Sequence, residues 1–406
     1  MNRAARLALL LLLAPAAAPA AMPLAIQAGL LYPVSGPPVK DALILIRDGR
    51  ITFVGPAADR MFSADHQVVT AAVVTPGLID ARATVGLSGL LNQPHDQDML
   101  ERSAPVQPEL RAIDAYNGGD PLVTWVRSLG VTTVNTGHAP GMLVSGQTMV
   151  VKTSGSARER EVLQPAAFIT AALGGAGLNR AEGKAPGTRA KAVALLRAEL
   201  IKAQDYVRKR GLADETKRPA RDLRLEALGR ALDGSQRLLI TVHKVPDILA
   251  ALRLAQEFNL RIVLDGCADA PLVLAELKAA GFPVVLHPTM ARAGDDTENL
   301  AMDTAVKLAA AGIPFALQSG YESYVPKTRV VLFEAAVAAG RGLGFDRALA
   351  SVTLEAARIL GVAERVGSVE VGKDADLALF DGDPFEYTTR VTATVINGEL
   401  FRDGPR

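Results

Sequence analysis

The sequence reads as an α/β chain: a (β/α)8 TIM-type barrel with a small composite β-sandwich domain built from both chain ends. Two observations predict this. Both ends carry short β patterns closed by tight turns, whereas the middle alternates apolar strands with helical runs. Within that middle, His243, Asp265 and His287 each close an apolar strand and stand 22 residues apart, a spacing that suits a repeating βα unit.

In chain order, Met1–Ala20 has the three parts of an export signal. Asn2, Arg3 and Arg6 supply the polar start, Leu7–Leu13 the apolar core and Ala18-Pro19-Ala20 the cleavage pattern. The apolar core is too short to span a bilayer. The expectation is an exported protein, periplasmic if the source is Gram-negative, with no membrane span after processing. Residues 21–75 together with 362–406 are assigned to the composite domain, and 76–361 to the barrel.

The composite domain rests on its turns. Leu43–Ile46 and Ile51–Val54 flank Asp48-Gly49, a hairpin signal because a type I′ turn needs two positive φ angles. Gly55-Pro56 stops the second strand. At the far end, Asp376–Phe380 and Val391–Ile396 read as strands, and Asn397-Gly398 turns the chain into Glu399–Phe401.

The barrel rests on alternation. Arg237–His243, Arg261–Asp265, Pro283–His287 and Pro314–Ser319 read as strands, and Pro246–Phe258 and Ala270–Ala280 as helices. Pro246 sits where a helix tolerates a missing N–H. Such a series implies parallel strands with right-handed crossovers. It places His243, Gly266, His287 and Gly320 at one mouth, at the strands' C-terminal ends. Residues 155–235 read as helices on the barrel's outside, with solvated charge runs.

Composition narrows the function. The 406 residues carry a net charge of +1, which gives no argument for a nucleic-acid partner or an anionic membrane surface. The one cysteine, Cys267, excludes an internal disulfide framework and reads as a small buried residue.

Several segments resemble the amidohydrolase superfamily, its imidazolonepropionase-like members most closely. Gly367–Leu377 is similar to that family's closing motif, and Gly382-Asp383-Pro384 is also typical of it. Leu349–Gly361 resembles its last barrel helix, and Val131–Val134 and Ser145–Gln147 resemble the imidazolonepropionase-like group. Thr75-Pro76-Gly77-Leu78-Ile79-Asp80 resembles the start of its first barrel strand. The resemblance implies a hydrolase acting on non-peptide C–N bonds, such as cyclic or peptide-like amides.

The same resemblance implies a metal site, and its ligand positions are poorly matched. The two histidines that follow the first-strand motif fall on Arg82 and Thr84. The fifth-strand histidine matches His243, the sixth-strand histidine falls on Gly266, and the eighth-strand aspartate falls on Gly320. The bridging lysine has no convincing match; Lys152 ends an apolar run near that region. A guanidinium holds its proton, and catalytic zinc usually needs three protein ligands. No cofactor is therefore expected, with residual zinc as the exception to test for.

His243 and Arg82 are the candidate catalytic residues. Thr84, Asp265, Gly266, His287, Ser319 and Gly320 are expected to line the mouth, with Tyr321 and Tyr324 beside them. Arg82 either holds an anionic ligand such as a carboxylate or fills the cavity paired with Asp80, Asp265 or Glu322. His138, His287, and His95 with Asp96, Asp98 and Glu101, could contribute to an alternative metal site or be ordinary hydrogen-bonded or surface groups. Two functional readings stay open: an enzyme with altered chemistry on a small amide or carboxylate ligand, and a non-catalytic binding protein or inactive partner. The latter could form a homo-oligomer or associate with a related amidohydrolase.

Overall fold

The computed structural model describes residues 22–90, 93–155, 161–179, 181, 184–321 and 330–403. The export signal read at Met1–Ala20, Glu322 and Tyr324 lie outside the described residues. No helix among the described residues is long and apolar enough to cross a membrane.

The first strands are β1 (Leu24–Leu31), β2 (Val39–Arg47), β3 (Arg50–Pro56) and β4 (Gln67–Pro76). The barrel follows with β5 (Leu78–Ala83), β6 (Val131–Gly137), β7 (Val144–Lys152), the short β8 (Val162–Gln164), β9 (Phe168–Ala172), β10 (Arg237–Val242), β11 (Ile262–Gly266), β12 (Val284–Leu286) and β13 (Phe315–Ala316). The chain ends with β14 (Leu377–Phe380), β15 (Val391–Ile396) and β16 (Glu399–Phe401). The helices are α1 (Pro121–Ser128), α2 (Arg189–Arg210), α3 (Leu223–Leu232), α4 (Val245–Phe258), α5 (Leu274–Ala280), α6 (Thr304–Ala311), α7 (Val331–Ala338), α8 (Phe345–Ser351) and α9 (Leu354–Leu360).

Strands from both ends join one seven-stranded sheet in the order β16-β15-β14-β4-β1-β2-β3. Ile26, Ile44, Val74, Leu377 and Val395 pack together as its core. Both hairpin turns form as their residues dictate. Asp48 and Gly49 have φ of 51° and 76°, and Asn397 and Gly398 have 50° and 75°, the positive pair of a type I′ turn.

The barrel sheet runs β13-β12-β11-β10-β9-β7-β6-β5. The strands from β9 to β13 pair in parallel, in keeping with their helical crossovers. β7 departs from the all-parallel expectation: it pairs antiparallel with both β6 and β9. The chain between β6 and β7 spans only residues 138–143, too short for the crossover that parallel strands need. Near the seam, Gly320 N donates to Arg82 O at 3.3 Å and Ser319 N donates to Asp80 Oδ1 at 3.1 Å.

The reversed β7 carries Lys152 away from the mouth. Lys152 pairs in register with Thr133, near the start of β6. Its fully buried ammonium lies 2.7 Å from Asp374 and 2.8 Å from Asp376, both beside β14. Lys152 is thus an ion-pair anchor between barrel and terminal sheet, not a member of the mouth.

Period-two alternation builds the site from below. Leu239, Val263, Val285 and Ala316 join one buried cluster with Ile79, Ala81 and residues of α9. Two residues further along the same strands stand Thr241, Asp265, His287 and Gln318, and His243 follows Thr241 by two. An apolar floor therefore changes to a polar layer as each strand reaches its C-terminal end.

Candidate functional site

A cavity of about 120 Å³ opens at these strand ends, with His243, Gly266, His287, Gln318, Gly320 and Tyr321 in its wall. Four of the residues expected at the mouth therefore converge there. Thr84, Asp265 and Ser319 do not line it; all three are buried, as is Arg82, and Asp265 bonds Gln318 of the wall.

The polar layer is tied across strands. Asp265 accepts from Thr241 Oγ1 at 2.6 Å and from Gln318 Nε2 at 2.7 Å. Gln318 Nε2 also donates to the Val285 carbonyl at 3.2 Å. Gly266, at φ +90°, brings the backbone against His243; a Cβ there would lie 2.5 Å from His243 Cε1. A side chain at that position would displace the imidazole.

Both wall histidines are neutral near pH 7. Burial pushes His287 down to about 4, and its proximity to His243 lowers it further. Its Nδ1 lies 3.0 Å from the Pro288 carbonyl, so Nδ1 carries the proton and Nε2 an open lone pair. Burial also lowers His243, while Asp265, Asp296, Asp247 and Asp269 act against that shift. Each of these carboxylates has a partner of its own: Asp247 and Asp296 bind Arg189, and Asp269 accepts from Val245 N and Asn299 Nδ2.

Arg82 is fully buried. One nitrogen, Nη2, donates to the His138 carbonyl; Nε and Nη1 have no hydrogen-bond partner among the described residues. Burial lowers its pKa, and the neighbouring Asp265, Tyr321 and Asp80 act against that shift. The Tyr321 ring centroid lies 5.9 Å from Cζ. Asp80 binds Ser319 instead, accepting from its backbone N and its hydroxyl. Burial raises Asp80 to about 6 against those bonds. The Ser319 hydroxyl donates to that carboxylate, and Ser319 is buried outside the cavity wall.

The other sequence candidates fall elsewhere. His138 is buried, with no hydrogen-bond partner for either ring nitrogen among the described residues, and burial and Arg82 lower it to about 4. It stands after β6, outside the cavity wall. His95, Asp98 and Glu101 are exposed in a surface loop, where Asp96 accepts from Gln93 N and Gln97 Nε2. Cys267 is buried beneath the mouth at φ +56°, its thiol pushed up by burial. Gln318 was missed by sequence reasoning. Its only signal was its position two residues beyond Ala316 on a barrel strand.

The donor set does not fit a divalent ion of the kind the resemblance implies. Among the described residues, no group of three or more His, Cys, Asp or Glu is placed to hold a metal. A buried guanidinium next to the mouth would repel a cation there.

Comparison with known proteins agrees with this architecture. A family model described as the amidohydrolase family matches residues 290–401. The chain is 23% identical over 394 residues to an imidazolonepropionase from Rhizobium rhizogenes, covering 90% of this chain and 92% of that protein. It is 26% identical over 400 residues to amidohydrolase tasK from Hapsidospora irregularis, covering 89% of this chain but only 40% of that longer protein. Among solved structures, an amidohydrolase from Thermotoga maritima MSB8 superposes with a TM-score of 0.87 at 27% identity, covering 93% of this chain and 100% of that one.

Proposed function

We propose that the chain is an exported member of the amidohydrolase superfamily that hydrolyses carbon–nitrogen bonds other than peptide bonds, in small cyclic or peptide-like amides, without the metal site that the resemblance implies. The observation that carries this reading is the pair of neutral imidazoles, His243 and His287, at one strand-end cavity. A neutral imidazole at pH 7 can accept the proton of an attacking water, and His243, the less buried of the two, is the base. Asp265 lies within electrostatic reach of both His243 and Arg82. Arg82 holds a fixed positive charge beside the cavity, where it opposes charge build-up of the wrong sign and favours a developing oxyanion or a bound carboxylate.

The test joins metal analysis of the purified protein to an assay of ring opening and amide cleavage over a panel of lactams, cyclic ureides and dipeptides. Turnover that survives chelation and falls about 10²- to 10⁴-fold in His243→Ala supports the reading. About one tightly held transition-metal ion per chain defeats its metal-free form.

A second reading is favoured by the scattered donor set: a non-catalytic binder of small amides or carboxylates, or an inactive partner of a related amidohydrolase. Ligand binding without turnover over the whole panel would select it. Co-purification with an active relative would select its partner form.

A further inference from the structure

At the base of the barrel, a buried amine meets a side-chain amide. Lys152 is fully buried at the end of β7, and its Nζ donates to Asn397 Oδ1 in the β15–β16 turn, 245 residues away. Asn397 is pinned in place. Its backbone N donates to Asp376 Oδ1 at 2.8 Å, its Nδ2 donates to Glu161 Oε2 at 2.9 Å, and the turn holds its φ at 50°. The next nitrogen, Gly398 N, donates to the Ala375 carbonyl at 3.1 Å. That bond ties up the nitrogen with which an Asn-Gly pair closes into an imide. Two carboxylates flank the same amine: Asp374 Oδ2 lies 2.7 Å from Nζ and Asp376 Oδ2 lies 2.8 Å from it. Asp374 also meets Arg50 and Arg365, which keep it ionised. Among the described residues, Asp376 has Lys152 as its one ion-pair partner, and burial raises its pKa while Lys152 acts against that shift. Asp376 is therefore the better acceptor for a proton from the ammonium.

We propose that Lys152 and Asn397 join in an intramolecular isopeptide bond, a covalent strap between the barrel and the terminal sheet. A desolvated lysine amine is a nucleophile once it has given up its proton. The Lys152 ammonium passes one proton to Asp376, and the neutral Nζ attacks Asn397 Cγ. The Nζ–Cγ bond forms, the Cγ–Nδ2 bond breaks, and Nδ2 leaves as ammonia with a second proton from Nζ. The third proton stays on the new amide N–H. No oxidant or cofactor enters, and the charges balance: an ammonium and a carboxylate become a neutral amide and a neutral acid. The exchange removes a buried ion pair whose desolvation is costly. Glu161 holds the leaving nitrogen and so turns the carbonyl of Asn397 towards Nζ. Reactants fixed in contact in this way react as if at very high concentration.

The test is peptide mapping of the folded full chain by tandem mass spectrometry after incubation at neutral pH. The expected result is the loss of one ammonia per chain and a branched tryptic peptide that joins Lys152 to Asn397, uncut after Lys152 because trypsin does not cleave at an acylated lysine. Asn397→Gly removes the electrophile, and glycine accepts the positive φ of the turn. That variant should fold by circular dichroism, keep its full mass and yield a free Lys152 amine. The wild-type map decides the matter without the variant. Separate peptides for Lys152 and Asn397, with the lysine amine free, would overturn the proposal. So would ammonia loss with an imide at Asn397-Gly398 and a free Lys152. A link from Lys152 to Asp374 or Asp376 with loss of water would overturn Asn397 as the partner.

Discussion

Gln318 donates to Asp265 at 2.7 Å across 53 residues of sequence, and this bond sets the polarity of the candidate site. It turns the Gln318 oxygen away from Asp265, and with Thr241 it gives each oxygen of the Asp265 carboxylate a donor. The wall that a ligand meets is therefore made by the residue the carboxylate holds, and not by the carboxylate itself.

Arg82→Met should make the protein more stable and less capable. A fully buried guanidinium with two unpartnered nitrogens has lost its hydration with little return, and apolar replacement of buried charge often stabilises by about 1–4 kcal/mol. Urea denaturation should show a higher midpoint at unchanged slope. The same variant should bind small carboxylates more weakly by calorimetry, if Arg82 serves an anion. Equal heats in both proteins would end that role.

Lys152→Met should destabilise strongly. Its ammonium bonds Asp374, Asp376 and Asn397, and its removal leaves buried carboxylates without their cation. The two carboxylates differ. Burial raises Asp376 despite Lys152; Asp374, which also meets Arg50 and Arg365, is lowered although burial works against it. Breaking one side of a buried pair costs about 3–5 kcal/mol. The denaturation midpoint should fall accordingly, with Asp374 less affected because two arginines remain beside it.

Acid should loosen the fold through His138 and His287. Both are held near 4 in the folded chain, against 6.5 for an unperturbed imidazole. The unfolded chain therefore binds more protons in that window, and stability falls as pH drops from about 6.5 towards 4. Asp80, raised to about 6 from 3.8, acts in the opposite sense, because its folded form binds the extra proton between those values. NMR titration of the imidazole ring protons should show His138 and His287 still neutral at pH 5. A midpoint near 6.5 for either ring would contradict its burial.

Gly266→Ala should impair the site through geometry. The position requires φ +90°, and the added Cβ would sit 2.5 Å from His243 Cε1. Backbone strain of about 1–3 kcal/mol should appear as lower stability. Any turnover should fall along with it, because the imidazole cannot keep its place. Unchanged kinetics would show that His243 is not the base.

How much of this could be read beforehand follows from the range of each signal. Asp48-Gly49 and Asn397-Gly398 announced their hairpins because a turn is decided by neighbours in sequence. The 22-residue spacing of His243, Asp265 and His287 announced the parallel strands and their shared mouth. The reversal of β7 was not announced by its apolar residues, since an apolar strand looks alike in either direction. The short link 138–143 was the available clue. The register of Lys152 was not legible for that reason, and its partners lie more than 220 residues away. The role of Gln318 depends on which atom of an amide faces which neighbour, and spacing does not encode that. Arg82 and Thr84 were legible as residue types, but their burial away from the cavity wall came only with the fold.

The Lys152 anchor also bears on how the molecule is made. A ribosome delivers the barrel strands first, and Asp374, Asp376 and Asn397 emerge more than 220 residues after Lys152. Until they do, a bare ammonium sits at the base of the half-finished barrel, and β4 lacks the neighbour it meets in β14. The base of the barrel therefore stays open until segments more than 220 residues downstream of Lys152 have been made.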